Sequence, residues 1–91
     1  MDNNLFEELS KGLIINYYRT HFPLLYDEYK DELTEDKVYC VWLCKTLQNN
    51  KGLFSTNIPD TRYFEVTYNG DKQEIYFDAY TKESNTCIKD W

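Results

Sequence analysis

The chain has 91 residues, of which 42% are hydrophobic and 18% aromatic, and its formal net charge is −6. The length fits one domain, residues 1–91, with a modest core, and the hydrophobic content excludes simple disorder. The acidic charge repels phosphate backbones, so direct binding to nucleic acid is disfavoured.

The first predicted element is an amphipathic helix from about residue 4 to residue 20. Asn4 followed by Glu7 resembles a capping box. Gly12 either weakens the helix or marks close packing on a sheet. The helix ends at His21-Phe22-Pro23, because the residue before a proline disfavours helical geometry. Apolar residues form a stripe at a spacing of four, namely Leu5, Leu9, Leu13 and Tyr17, flanked by Phe6, Ile14 and Tyr18.

A short second helix is predicted from residue 23 to residue 33. Pro23 suits its first position, and Leu25, Tyr29 and Leu33 recur at every fourth residue. Most of the acidic excess lies here and just beyond, at Asp27, Glu28, Asp31, Glu32, Glu35 and Asp36. The first two acids fall in early turns and suit the helix dipole, whereas the next two fall near the end and oppose it. The cluster is either a solvated face or a surface for a basic protein.

The most apolar run, residues 38–44, predicts a central strand because both of its faces are apolar. Asn and Gly tolerate positive φ, so residues 48–52 are predicted to form a turn. Residues 53–56 return as a second strand, and residues 57–61 form a loop.

Two alternating runs flank Asn69-Gly70 and predict a β-hairpin over residues 62–80. One face holds Phe64, Val66 and Tyr68 with Ile75, Phe77 and Ala79. A two-residue loop would set Glu65 opposite Glu74. A four-residue loop, residues 69–72, sets Val66 opposite Ile75 and Glu65 opposite Tyr76. We favour the four-residue loop, because like charges directly opposite each other are destabilising.

Residues 82–85 indicate a turn, residues 86–88 a possible last strand, and Trp91 closes the chain. The predicted fold is α+β, with an N-terminal helix and a short second helix packed on a four- to five-stranded antiparallel meander sheet. The outer sheet face would carry several tyrosines, namely Tyr39, Tyr63, Tyr76 and Tyr80. They form either cross-strand pairs that stabilise the sheet or a patch for protein contact or dimerisation.

No residue pattern indicates catalysis, and we expect neither an enzyme nor a cofactor or metal site. The single histidine, His21, has no nucleophile motif beside it. Cys40 and Cys44 lie too far apart on one strand to pair with each other, and the three cysteines indicate reduced thiols. An acid pair of Glu65 with Glu74 or Asp78 would need a deep cleft to act as a glycosidase, for which this chain is too small.

The N-terminus lacks the apolar segment of a signal peptide, and no apolar run reaches membrane-spanning length, so a cytoplasmic protein without membrane contact is expected. Residues 38–49, 63–72 and 75–80 resemble a family of small proteins from phages and prophages of Gram-positive bacteria, known only as a domain of unknown function. The resemblance covers about residues 36–89. It implies a phage setting without catalytic residues.

Three functions remain open. The first is a non-enzymatic phage protein that inhibits or redirects a host protein, such as a CRISPR nuclease. The second is a self-associating structural or regulatory homodimer. The third is a single-strand nucleic-acid binder that stacks bases on the sheet tyrosines. For the first, the expected partner-binding residues are Asp27, Glu28, Asp31, Glu32, Glu35, Asp36, Tyr26, Tyr29, Tyr63 and Tyr76.

Overall fold

The computed structural model describes residues 1–89 of the chain, so the predicted closing residue Trp91 lies outside it. The four strands form one antiparallel sheet in the order β1-β2-β3-β4, with each strand beside its neighbour in sequence. Both helices lie on one face of this sheet. The predicted α+β meander is confirmed. The elements are α1 (Asn3–His21), α2 (Pro23–Glu28), one 3₁₀ turn (Glu35–Lys37), β1 (Tyr39–Thr46), β2 (Asn49–Ser55), β3 (Arg62–Asn69) and β4 (Glu74–Thr81).

Helix α1 begins two residues earlier than the capping box predicts. The N-cap is Asp2, whose Oδ1 accepts a hydrogen bond of 2.8 Å from the amide of Leu5. Asn4 lies inside the helix, so the prediction of Asn4 as the cap was wrong. At the other end, Phe22 leaves helical geometry immediately before Pro23, as the proline predicts.

The face of α1 that meets the sheet is rotated relative to the predicted stripe. Leu5, at the start of that stripe, is 53% exposed. The buried residues are Phe6, Ser10, Ile14, Ile15 and Tyr18, which were assigned to its flank or left out of it. They pack on Phe54, Phe64 and Val66 of the sheet, because these strands offer the large apolar side chains. Gly12 faces the 3₁₀ turn, where an added Cβ would lie 3.2 Å from Glu35 Oε1.

Helix α2 is much shorter than predicted and ends at Glu28. The amide of Tyr29 bonds to the carbonyl of Leu25, and the chain then turns so that Leu33 is buried. Asp27 and Glu28 therefore lie in the last turn, whereas the prediction placed them in early turns. Asp31 and Glu32 lie beyond the helix, so the predicted conflict with its dipole does not arise.

Strand β1 lies at one edge of the sheet, and its prediction as a central strand was wrong. It pairs only with β2, and its outward residues Tyr39, Val41 and Trp42 are 44%, 48% and 41% exposed. A bulge between Cys40 and Trp42 shifts the register. The apolar run has two apolar faces, but the helices cover only one of them.

The first hairpin turns at Leu47 and Gln48, earlier in the chain than the predicted turn at residues 48–52. Leu47 takes the positive φ of 55°, and Thr46 pairs with Asn49. The predicted turn residues 49–52 instead lie in β2. Asn50 is buried there, and its Nδ2 donates to the carbonyl of Met1 at 3.1 Å, which ties the strand to the start of α1.

The second hairpin keeps the predicted faces but takes neither predicted register. Val66 lies opposite Phe77, Phe64 opposite Ala79, and Glu65 opposite Asp78. The loop has four residues, Gly70–Gln73, and the positive φ of 53° falls on Gln73. The side chain of the preceding residue shapes this loop, because Asn69 Oδ1 accepts from the amides of Asp71 and Lys72 at 3.1 and 3.3 Å.

Residues 82–89 form no strand, so the possible fifth strand at residues 86–88 is not formed. Ile88 is the one large aliphatic side chain of this segment, and it is 69% exposed. A strand there would bury too little apolar surface to offset the ordering of its backbone.

Candidate functional site

Opposite the helices, the sheet presents a second face, on which the residues are exposed or half-buried apart from the buried Ser55, and we call it the outer face. Its members follow from strand alternation around the buried Phe54, Phe64 and Val66. The register sets them in three rows across the strands, which are Tyr39, Ser55, Tyr63 and Tyr80; Trp42, Leu53, Glu65 and Asp78; and Cys44, Lys51, Thr67 and Tyr76.

Aromatic side chains dominate the outer face. Trp42 is 41% exposed, and Tyr76 and Tyr80 are each 50% exposed. Large, contiguous apolar patches are uncommon on the surface of isolated soluble proteins, and Tyr and Trp are enriched in the centres of protein interfaces. The face therefore has the composition of a contact surface.

Two carboxylates lie within this aromatic face, in its middle row. Glu65 and Asp78 are directly opposite each other on β3 and β4, which is the like-charge arrangement that we expected the register to avoid. Lys51 Nζ lies 3.4 Å from Glu65 Oε1. Asp78 makes no ion pair within residues 1–89. The pair stands on an open, flat surface, which does not provide the enclosed cleft of a glycosidase.

Trp42 is the aromatic member of the outer face that the sequence reasoning missed. In a regular strand, Trp42 would share a face with Cys40, which points toward the helices. The bulge at Val41 inserts one residue, so that Trp42 lies on the same face as Tyr39. Alternation along β4 assigned Tyr80 and Asp78 to the outer face, where both are exposed.

The acidic residues predicted as a binding site lie in the helical layer, away from the outer face. Asp27, Glu28, Asp31, Glu35 and Asp36 are exposed, and Glu32 is half-buried. Lys37 partly neutralises this segment, since its Nζ lies 3.6 Å from Glu32 Oε1 and donates to the carbonyl of Asp31 at 2.8 Å.

Tyr26 and Tyr29, which were predicted as anchors beside these acids, are half-buried and pack against the core. Arg19 lies over the ring of Tyr26 and donates to its hydroxyl at 3.2 Å. Tyr63 and Tyr76 lie on the outer face. The structure thus separates the predicted site into an acidic segment with two packed tyrosines and a second, aromatic surface.

Groups that could carry chemistry are dispersed. His21 Nδ1 lies 3.2 Å from the carbonyl of Tyr17, and its ring stacks on Tyr17 at 4.5 Å. Cys40, Cys44 and Cys87 are free thiols, and burial raises the pKa of Cys40. Between residues 1 and 89, no three His, Cys, Asp or Glu side chains converge as a metal site would require, and no helix there has the length and apolarity to span a membrane.

The fold and this surface define a small two-layer α+β protein with helices on one sheet face and an aromatic, acidic surface on the other. The sequence matches a family of unknown function, DUF6275, over residues 7–90, and the chain belongs to that family. This match includes most of α1, whereas the resemblance noted from the sequence covered only about residues 36–89. No curated protein and no solved structure matches the chain.

Proposed function

We propose that the chain is a non-enzymatic binding protein whose outer face docks on a basic surface of another protein. The observation that carries this proposal is the exposed aromatic face on which Glu65 and Asp78 lie opposite each other. Lys51 pairs with Glu65 in the free protein, whereas Asp78 has no ion pair within residues 1–89, so a cation from a partner would pair with Asp78 and offset its repulsion from Glu65.

An arginine is the side chain that suits this surface best. Its guanidinium pairs with carboxylates through two parallel hydrogen bonds and stacks on aromatic rings. Tyr76 and Tyr80 flank Asp78 along β4 on the same face, so a guanidinium that reaches Asp78 lies between two tyrosine rings. The net charge of −6 steers a basic partner toward the protein and repels phosphate, which argues against the single-strand nucleic-acid binder.

The resemblance to phage proteins points to the class of target. An acidic protein can compete with nucleic acid for a basic surface on a nucleic-acid-binding protein. We therefore propose a host nucleic-acid-binding protein as the partner, such as a CRISPR nuclease or another defence protein, bound in the host cytoplasm. The acidic segment of the helical layer adds to the long-range attraction.

A pull-down from a host lysate with the tagged protein, read by mass spectrometry at low and moderate salt, tests this function. We expect a basic, nucleic-acid-binding protein that is enriched at low salt and displaced by nucleic acid. Asp78→Lys and Trp42→Ser should each lower its capture at least about tenfold, since these residues stand at the two ends of the middle row of the face. Leu24→Ser is the matched control, because Leu24 is 84% exposed but lies in the helical layer.

Circular dichroism should show that all of these variants are folded. Asp31→Lys with Glu32→Lys separates the two candidate surfaces, because these residues lie only in the acidic segment. If that double variant abolishes capture while Asp78→Lys leaves it unchanged, the outer face is not the binding surface and the proposal fails.

A further inference from the structure

Among residues 1–89, strand β4 pairs only with β3, and apart from the charged Glu74 and Asp78 it lacks the features that usually prevent an edge from pairing. It runs for eight residues and pairs with β3 without interruption, from Arg62 opposite Thr81 to Asn69 opposite Glu74. It contains no proline, lysine or bulge. The other edge strand, β1, has both a bulge and Lys45. Unprotected edges expose backbone groups that accept a further strand.

A groove runs beside this edge on the helix side of the sheet. It has a volume of about 420 Å³ and is lined mainly by apolar surface, from Leu13, Asn16, Tyr17, His21, Phe77 and Ala79. Helix α1 packs on β1, β2 and β3 and much less on β4, so the helix side of β4 is left open and Ile75 is 38% exposed. The small side chain of Ala79 leaves room above it for an incoming apolar group.

The two faces of β4 require different side chains from a strand that pairs with it. Toward the helices, residues opposite Phe77 and Ala79 enter the apolar groove. On the outer face, the residue opposite Asp78 lies between Tyr76 and Tyr80. Because side chains alternate along a strand, the matching segment has apolar residues alternating with basic ones.

We propose that the β4 edge binds an extended segment of the partner protein in which apolar and basic residues alternate. The segment pairs with β4 through backbone hydrogen bonds, its apolar side chains fill the groove beside α1, and a basic side chain pairs with Asp78. This mode of strand addition draws affinity from the backbone and specificity from the alternate side chains. The inference rests on the proposed function for the basic character of the partner.

A synthetic peptide of alternating valine and arginine is the probe, and a block peptide of the same composition, valines first and arginines second, is its matched control. Amide hydrogen exchange of the full chain is followed by NMR with each peptide. The alternating peptide should slow the exchange of those β4 amides that do not bond to β3, and should shift the resonances of Phe77 and Ala79. The block peptide should do neither.

Two variants probe the two faces separately. Asp78→Lys should weaken binding of the alternating peptide about tenfold, through loss of one charge-assisted pair. Ala79→Arg should weaken it as strongly by filling the groove with a charged side chain. Leu24→Ser should leave it unchanged, and unaltered spectra away from β4 confirm the fold.

The inference is overturned if the alternating peptide binds no better than the block peptide, or if it binds without slowing the β4 amides. It is also overturned if these amides are already protected without peptide, since a second copy or the segment 82–89 then occupies the edge. If Asp78→Lys abolishes capture of the host protein while the peptide leaves β4 unprotected, the proposed function stands and only strand addition fails.

Discussion

At the scale of single residues, a polar network connects α1 to the loop between β2 and β3. The hydroxyl of Tyr18, which is fully buried, donates to Asp60 Oδ2 at 2.7 Å. The same oxygen accepts from Arg62 Nη1 at 2.6 Å, and the Arg62 guanidinium lies 4.0 Å from the centre of the Phe22 ring. A hydrogen bond to a charged group stabilises more than a neutral one. The network therefore orients the loop that leads into β3.

Tyr18→Phe should lower the free energy of unfolding by about 1.5–3 kcal/mol, the usual effect of losing a hydrogen bond to a charged group. Urea denaturation measures this change. Tyr76→Phe is the matched control, because its hydroxyl also donates to a carboxylate, that of Glu74, but on the exposed face. Its effect should be much smaller. Equal losses in the two variants would contradict a structural role for the buried network.

The stability of the protein should also depend on pH through Tyr18. Burial, and then the hydrogen bond to the Asp60 carboxylate, raise the pKa of Tyr18 above its ordinary value of 10.0. The unfolded chain loses this proton at about pH 10, whereas the folded chain retains it, so the contribution of Tyr18 is complete below that pH and is lost above it. The difference in unfolding free energy between the wild type and Tyr18→Phe should therefore shrink as the pH rises past about 10. A difference that stays constant up to alkaline pH would contradict this cause.

At the scale of elements, the two hairpin turns pack against each other, and this contact explains Gly70. Its φ is not positive, so the conformational freedom that makes Asn-Gly a turn signal is not what this position uses. An added Cβ at Gly70 would lie 2.1 Å from the carbonyl oxygen of Gln48. The amide of Gly70 also donates to Asn49 Oδ1 at 3.1 Å. Glycine is therefore required by the approach of the first turn.

Gly70→Ala should destabilise the protein by about 1–3 kcal/mol, because the methyl group meets backbone that cannot move without shifting a turn. Gly12→Ala provides the contrast within α1. Its Cβ would meet only the end of the Glu35 side chain at 3.2 Å, and alanine favours a helix by up to about 1 kcal/mol. Thermal denaturation should show a lower Tm for the first variant and an equal or higher Tm for the second. A higher Tm for Gly70→Ala would exclude the turn contact as its reason.

At the scale of the whole molecule, the distribution of apolar surface is asymmetric. The helices bury one sheet face, while the opposite face and the β4 edge carry exposed aromatic and aliphatic side chains. The same surfaces support a binding protein and the alternative homodimer, since either partner would cover them. The two alternatives differ in whether a second copy of this chain or another protein covers these surfaces.

Analytical ultracentrifugation should show a species of 11.0 kDa from micromolar to millimolar concentration. The opposed Glu65 and Asp78 on each copy disfavour a contact between two identical outer faces, because a two-fold interface brings like charges together. Asp78→Lys should not change this mass. A mass that doubles with concentration in the wild type would instead support the homodimer.

The sequence by itself determined which segments form helices and strands, and for β3 and β4 it determined which side chains share a face. Alternation in residues 62–80 established which side chains of β3 and β4 share a face, because the period of a strand is local. Pro23 determined the boundary between the two helices, because a proline restricts the backbone of the residue before it. The outer-face positions of Tyr63, Tyr76 and Tyr80 followed from this alternation.

Only the tertiary structure decided how these elements meet. The rotation of α1 depends on the side chains of the sheet beneath it, and the edge position of β1 depends on which face the helices cover. The register that sets Glu65 opposite Asp78 occurs together with a loop that packs on the first turn through Gly70. The bulge that brings Trp42 to the outer face depends on the pairing of β1 with β2. Each is a long-range contact, and the residues on one side of it carry no local signal of their partners.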